Sequence, residues 1–371
     1  MHKLLIRCSF FGKRIETQIF AGWFLAVHSF VILMLPSLPA ATAQLSRYSL
    51  SERFIKVWVT SADTFHYMNV AQRGYGEVSA VFFPLWPLLV RATGAHDIIA
   101  ILLASGLTLG FLFLFTQLCK LWQKELPSEK IILTYIAFPF SFMLLAPMSE
   151  PLYLVLVGLT FLSAEKKNYP LATLFAALAS ATRMIGIVLV VYLVLKLLSE
   201  KRMLIKQFWW SLPVSSLGLV MYGLYLKLSF GDFLLFYRQE KDWNRSLNLA
   251  SVQKSISEII ATIQQIGSVY KPPPIVLLHL AAVFLGAWLL FKARKLLGLP
   301  LLSYCVLSLL IPLLSGTFLG MPRYLLAAFP LFLPLIQILT KHRFLFSMYL
   351  VLSIMLQGYL LIRFLNYEMV A

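Results

Sequence analysis

The run IIAILLASGLTLGFLFLFTQLCKL, Ile98 to Leu121, decides the class of this chain. Its single charge, Lys120, stands near the end. At a helical rise of about 1.5 Å per residue the run is long enough to cross the roughly 30 Å hydrocarbon core of a bilayer. Ten further segments resemble it: Ile19 to Ala40, Ile131 to Met148, Pro151 to Ala164, Tyr169 to Thr182, Met184 to Leu198, Phe208 to Leu226, Pro274 to Phe291, Leu297 to Leu314, Pro322 to Thr340 and Phe344 to Phe364. With 60% hydrophobic residues, 13% charged residues and a mean hydropathy of +0.82, no soluble domain of this length fits. The expectation is an all-α integral membrane protein, residues 1–371 forming one polytopic domain of about eleven transmembrane helices. Because Pro151–Ala164, Tyr169–Thr182 and Met184–Leu198 are short, the range is roughly ten to twelve.

Lysine and arginine in short connections orient such a bundle, since they are retained in the cytoplasm. Lys3, Arg7, Lys13 and Arg14 put the N-terminus inside. Alternation then puts every short basic connection on that side: Lys120, Lys124 and Lys130; Lys166 and Lys167; Lys201, Arg202 and Lys206; Lys292, Arg294 and Lys295; Lys341 and Arg343. The C-terminus falls outside. So do two long connections, residues 41–97 and 227–273.

Each outer connection holds a stretch suited to the membrane surface. Leu50, Phe54, Val57 and Trp58 recur at helical spacing opposite Arg53 and Lys56. Val252, Ile256, Ile259, Ile260, Ile263 and Ile266 do the same behind Ser255-x-x-Glu258, which reads as a capping box.

A net charge of +17 spread over connections matches anionic headgroups and makes the bilayer the partner, with no nucleic acid. The first apolar segment is too long for a removed signal peptide. Cys8, Cys119 and Cys305 are scattered and indicate neither disulfides nor a metal cluster. The chain has no glycine-rich phosphate loop, no Gly-x-Ser-x-Gly elbow, no His-Glu-x-x-His and no soluble nucleotide-sugar domain. Sugar or phosphate chemistry would need a donor already in the membrane.

Asp63 stands among Phe65, His66, Tyr67, Arg73 and Tyr75, ahead of the rigid FFPLWPLLVR of Phe82 to Arg91. An outer-loop aspartate is ordinarily solvated, but this aromatic company is that of a sugar-binding wall, where a carboxylate can take the proton of an attacking hydroxyl. His66, three residues on, lies on the same face of a helix and can hold or polarise that group. Ser149-Glu150-Pro151 can be read as a local helix start, with a cap, a dipole-favoured acid and a first-turn proline. Arg183 divides two apolar segments, a position that costs energy unless the guanidinium snorkels or grips an anion such as phosphate through parallel hydrogen bonds. Arg323 can do the same from another helix or simply anchor it.

The order Asp63-x-x-His66-Tyr67 with Gly74-Tyr75, Phe83-Pro84-Leu85-x-Pro87-Leu88, Ser149-Glu150-Pro151-Leu152-Tyr153, Thr182-Arg183-x-x-Gly186, Phe230-Gly231-Asp232-x-x-x-Phe236 with Gln239 and Trp243, and Pro322-Arg323-Tyr324 with Phe329-Pro330 resembles the GPI mannosyltransferase II family (PIG-V type), including its bacterial members. The resemblance runs from about Asp63 to Pro330. It implies a GT-C type membrane glycosyltransferase that moves mannose, with inversion, from a polyprenyl-phosphate carrier to a lipid or surface-glycan acceptor on the non-cytoplasmic side. On that pattern Asp63 is the catalytic base. His66, Tyr67, Arg73, Glu150, Arg183, Asp232, Gln239, Trp243, Arg323 and Tyr324 bind substrate. The resemblance places the protein in the plasma (inner) membrane of a prokaryote, or in the endoplasmic reticulum of a eukaryote. The tryptophan that often precedes the aspartate is Ala62 here, and the chain is short for a eukaryotic GPI enzyme. The rival class is a lipid or solute transporter or flippase, but the two halves of the chain show no repeat. A GT-C enzyme using another lipid-linked sugar reads identically. No cofactor is implied and no metal is required, although convergence of Asp63, Glu150 and Asp232 would reopen that question.

Overall fold

The computed structural model describes residues 15–76, 78–200, 208–209, 211–266, 268 and 271–370. Lys3, Arg7, Cys8, Lys13 and Arg14, and the basic group Lys201, Arg202 and Lys206, lie outside the described residues. Helices supply the regular structure, and no strand occurs among the described residues. In chain order they are α1 (Ile15–Met34), α2 (Pro39–Gln44), α3 (Leu50–Thr60), α4 (Thr64–Arg73), α5 (Leu85–Ala92), α6 (Asp97–Trp122), α7 (Ser128–Ile136), α8 (Glu150–Glu165), α9 (Tyr169–Ser180) and α10 (Val188–Ser199). The second half continues with α11 (Ser211–Val214), α12 (Leu217–Phe230), α13 (Leu235–Gln239), α14 (Leu249–Ile266), α15 (Pro274–Ala293), α16 (Leu299–Leu313), α17 (Met321–Ala327), α18 (Phe332–Lys341) and α19 (Arg343–Leu365).

Among the described residues four helices, α1 with its trailing turn, α6, α15 and α19, are long and apolar enough to cross a membrane, or up to six spans if each of two bent pairs counts as one. The bent pairs are Leu217–Phe230 with Leu235–Trp243, at 86°, and Met321–Ala327 with Phe329–Lys341, at 85°. Helix length therefore supports fewer crossings than the eleven expected, and the physical reason lies in where the apolar residues point. In α8 nearly every side chain is buried, including Leu152, Tyr153, Leu154, Val157 and Phe161, because α6 and α9 pack against it. Its hydrophobicity serves a protein core. In α19, by contrast, Phe344, Val351, Leu352, Ile354 and Met355 are exposed. In α12, Met221 and Leu228 are exposed, as are Leu25 and Leu33 in α1. An apolar surface of that extent belongs to a membrane-embedded protein. A hydropathy window cannot tell these two kinds of burial apart. The expected span Ile131–Met148 is likewise no single helix: α7 stops at Ile136 and a 3-10 turn follows at Ser141–Leu145.

Helix α8 also sets the polarity of the bundle. It runs from Glu150 to Glu165, about 24 Å at the helical rise. Lys166 and Lys167 follow its far end, where Lys196 donates to Glu165 at 3.0 Å and Lys167 pairs with Glu200 at 3.4 Å. The starts of α4, α8 and α17 share the near end.

The two long connections differ from one another. Helix α3 begins with a true capping box: the Ser49 hydroxyl accepts from the Glu52 amide at 3.4 Å, and the Ser49 amide donates to the Glu52 carboxylate at 2.9 Å. Val57 and Trp58 are fully buried and Lys56 pairs with Asp97 at 2.6 Å, so the apolar side of α3 packs into the bundle. Ser255-x-x-Glu258 is not a capping box, because α14 starts six residues before Ser255 and its first turn is held by Asn248, whose side chain accepts from the Ser251 amide at 2.8 Å.

Candidate functional site

Backbone geometry brings four charged side chains to one place. Asp63 stands before α4, directly after Ala62, whose φ of 51° is left-handed and uncommon for a residue with a Cβ. Glu150 and Pro151 open α8. Arg183 lies in the break after α9, extended at φ −153°, before a 3-10 turn over Met184–Ile187. That turn packs so closely on α9 that a Cβ on Gly186 would sit 2.5 Å from the Ala179 carbonyl oxygen. Arg323 is in the first turn of α17, after Gly320 at φ 85°.

Arg323 joins both carboxylates. Its Nη1 donates to Asp63 Oδ2 at 2.7 Å, its Nε to Glu150 Oε1 at 2.9 Å, and its Nη2 to the same Oε1. Arg183 Nη1 pairs with that oxygen too, at 2.6 Å, and donates to Ser149 Oγ at 3.1 Å. One carboxylate oxygen thus takes three guanidinium donors, while Glu150 Oε2 is buried without a partner among the described residues. The side chains of Glu150, Arg323 and Arg183 are 7%, 12% and 16% exposed, and that of Asp63 is 26% exposed. Two cations and two anions buried together offset each other's desolvation, as any one alone could not. Asp63 Oδ1 and the Nε/Nη2 edge of Arg183 keep no partner among the described residues. The first is a free acceptor; the second is the side of a guanidinium that fits an oxyanion through two parallel bonds.

The remaining expected residues fall in four groups. Tyr67, buried, shares a hydrogen bond of 2.7 Å with Ser149 Oγ, which also explains why Ser149 makes no side-chain cap for α8: its hydroxyl serves the cluster. His66 stacks on Phe82 with centroids 4.7 Å apart and planes at 9°, and exposed Trp243 meets both rings edge-on at 5.6 and 5.9 Å. Burial holds the His66 imidazole below its ordinary pKa, with the Asp63 charge pulling the other way. Gln239 tethers this wall, its Oε1 accepting from the Ala80 amide at 2.8 Å. Tyr324 lies under the Arg245 guanidinium, 5.6 Å from its ring centre. Two residues are not brought to the cluster. Asp232 caps its own turn, accepting from the Leu234 amide at 3.0 Å and pairing with Arg238 at 3.1 Å. Arg73 is exposed in the last turn of α4, without an ion pair among the described residues. Asp63, Glu150 and Asp232 therefore do not converge, and among the described residues no group of three or more His, Cys, Asp or Glu side chains could hold a metal ion.

Arg245, which the sequence did not single out, and Ser255 and Glu258, which it marked only as a capping box, organise the approach to Arg323. Arg245 donates to the carbonyls of Pro312, at 3.2 Å, and Leu319, and to Ser315 Oγ at 2.8 Å. Glu258 accepts from Thr317 Oγ1 at 3.1 Å and the Phe318 amide at 3.3 Å, and Ser255 Oγ accepts from the Gly316 amide at 3.0 Å. From the third side, His279 Nδ1 accepts from the Gly320 amide at 3.1 Å, and its Nε2 lies 2.9 Å from the Val370 carbonyl. A usable signal was Glu258, an acid on an otherwise isoleucine-rich helix.

No family model matches the chain, and neither a curated protein nor a solved structure is detectably similar to it.

Proposed function

We propose that this protein is a membrane glycosyltransferase that transfers a sugar, mannose by its resemblance to the PIG-V type family, from a polyprenyl-phosphate carrier to a hydroxyl of a lipid or surface glycan. In this reading the chain crosses the membrane about eleven times, with broken and short helices making up the count. Its N-terminus is cytoplasmic, and its site faces outward from a plasma (inner) membrane, or into the lumen in a eukaryote. The observation that carries the proposal is that Arg323 and Glu150 join two groups with spare capacity, the carboxylate oxygen Asp63 Oδ1 and the Nε/Nη2 edge of Arg183, in one cluster that Tyr67 connects to the wall of His66, Phe82 and Trp243.

The step is a single displacement. The acceptor oxygen attacks the anomeric carbon and a new carbon–oxygen bond forms as the bond to the phosphate oxygen breaks. The bonding pair leaves with polyprenyl phosphate, the hydroxyl proton passes to Asp63, and the configuration inverts. Charge grows on the leaving phosphate, and Arg183 meets it through the two donors it has not spent. Arg323 acts differently from its sequence expectation as a second phosphate ligand: its donors go to Asp63 and Glu150, so it aims the base. Phosphate leaves readily at neutral pH, so the step needs no general acid.

Purified protein in vesicles, incubated with a panel of radiolabelled polyprenyl-phosphate sugars and extracted lipid acceptors, tests the reading. Label transferred covalently by the native protein and not by Asp63→Asn supports it. Label that crosses the bilayer still attached to its carrier would establish a flippase instead.

A further inference from the structure

Helix α14 is amphipathic in an unusual sense. Its buried residues are polar: Ser251, Ser255 and Thr262, with Glu258 half-buried, face the protein. Ile259 packs against the core, but the other four isoleucines face away, with Ile256, Ile260, Ile263 and Ile266 each between 44% and 49% exposed. Gln253, Lys254, Ser257 and Gln264 form the remaining flank, also exposed. The helix thus has three sides, one hydrogen-bonded to protein, one apolar and one polar. Four half-exposed isoleucines side by side form an apolar strip that water covers poorly and a lipid surface covers well.

We infer that α14 rests in the headgroup region of the bilayer with its isoleucine flank in lipid, and that this seat holds the Ser315–Gly320 turn and thereby the position of Arg323. Two features of the chain make lipid the occupant. Helix α15, itself long and apolar enough to cross a membrane, starts at Pro274, eight positions after Ile266, so the end of α14 is within reach of the membrane edge. The apolar flank also lies beside a polar one, the division an interfacial helix needs. The link to the site is direct. Ser255 and Glu258 take the amides of Gly316 and Phe318, and Arg323 follows within the next five residues. Gly316 has φ 120°, and a Cβ there would sit 2.7 Å from the Asn244 carbonyl oxygen, so the turn fits one seat only. Lipid composition acting on α14 is then felt at Arg323, whatever chemistry the site performs.

The test reads no turnover, so it stands apart from the glycosyl-transfer reading. With Cys8 replaced by serine, a bimane fluorophore is placed on a cysteine at Ile260, or at Lys254 on the polar flank, in nanodiscs containing nitroxide-labelled phosphatidylcholine. Amide exchange is measured at Gly316 and Phe318 in parallel. Quenching stronger at position 260 than at 254 is expected. Ile256→Gln/Ile263→Gln should weaken that quenching and speed exchange at both amides, and Glu258→Gln should speed Phe318 exchange about tenfold, the worth of one charge-assisted bond, while quenching stays. Should Glu258→Gln misfold, Ser255→Ala reads the same link through Gly316. Equal quenching at the two positions, or exchange unchanged in the isoleucine variant, overturns the inference. A cross-link through position 260 to a second copy would do the same by naming a different occupant.

Discussion

Replacing Glu150 by glutamine keeps the shape of the side chain and removes the charge that both guanidiniums share. In the native protein its Oε1 takes Arg323 Nε at 2.9 Å, Arg323 Nη2, and Arg183 Nη1 at 2.6 Å, at a side chain only 7% exposed. Two buried cations would then face Asp63 alone, and Asp63 touches only Arg323. Breaking a buried charge network by removing one partner costs about 3–5 kcal/mol. An unfolding entropy near 2.1 cal/mol/K per residue makes that a Tm drop of about 4–6 °C for a chain of this size. Fluorescence-monitored unfolding in one detergent at pH 7 measures it. The double variant Glu150→Gln/Arg183→Met should then lose less than the two single losses together, with a coupling of roughly 0.5–3 kcal/mol, because the second change removes the cation that the first left unpaired. A Tm within about 1 °C of native, or strictly additive losses, would refute the claim that Glu150 is the hub of the cluster.

Asp63→Asn should insert and fold yet lose transfer by about 10²- to 10⁴-fold, read from single-turnover kinetics, and near-native rates would remove it as the base. Arg183→Ala should weaken donor binding by about 1.5–3 kcal/mol and Arg183→Lys by less, measured by titration in nanodiscs; equal affinities would leave the Nε/Nη2 edge without a role. Because burial lowers the His66 pKa below its unfolded value of 6.5, the unfolded chain binds the extra proton first, so stability should fall as pH drops through the window below 6.5; His66→Gln should flatten that slope in Tm against pH, and an unchanged slope would assign it elsewhere. With Cys8 replaced, cysteines at Ser257 and Gln253 should label from outside intact cells and one at Glu125 should not, a pattern whose reversal would overturn the orientation.

Much of the cluster was legible because its members carry unusual burdens. Arg183 between apolar segments and Glu150 at the mouth of one had to find partners, and each is the other's. What the sequence hid is the sharing: nothing in Pro322-Arg323-Tyr324 says that one guanidinium would bridge two carboxylates from distant segments. Asp232 and Arg73 share the aromatic neighbourhoods that drew attention to Asp63, yet local capping takes one and solvent the other. The helical class was plain from Ile98–Leu121 alone. The number of crossings was not, since the side chains of α8 are as apolar as those of α19 but are buried in the protein where those of α19 are exposed, and hydropathy does not separate the two. The polar inward face of α14 was concealed behind the isoleucines that made it look like a surface helix.

The bond between His279 and the Val370 carbonyl ties the last described residues to the turn ahead of Arg323. Val370 is 3% exposed, and Tyr367 reaches the hydroxyl of Thr60, three positions before Asp63, at 2.8 Å. The tail therefore works as a strut between the segments that deliver Arg323 and Asp63. Cutting the chain ahead of Tyr367 would strip His279 of its acceptor and Thr60 of its tether, and so loosen both deliveries at once.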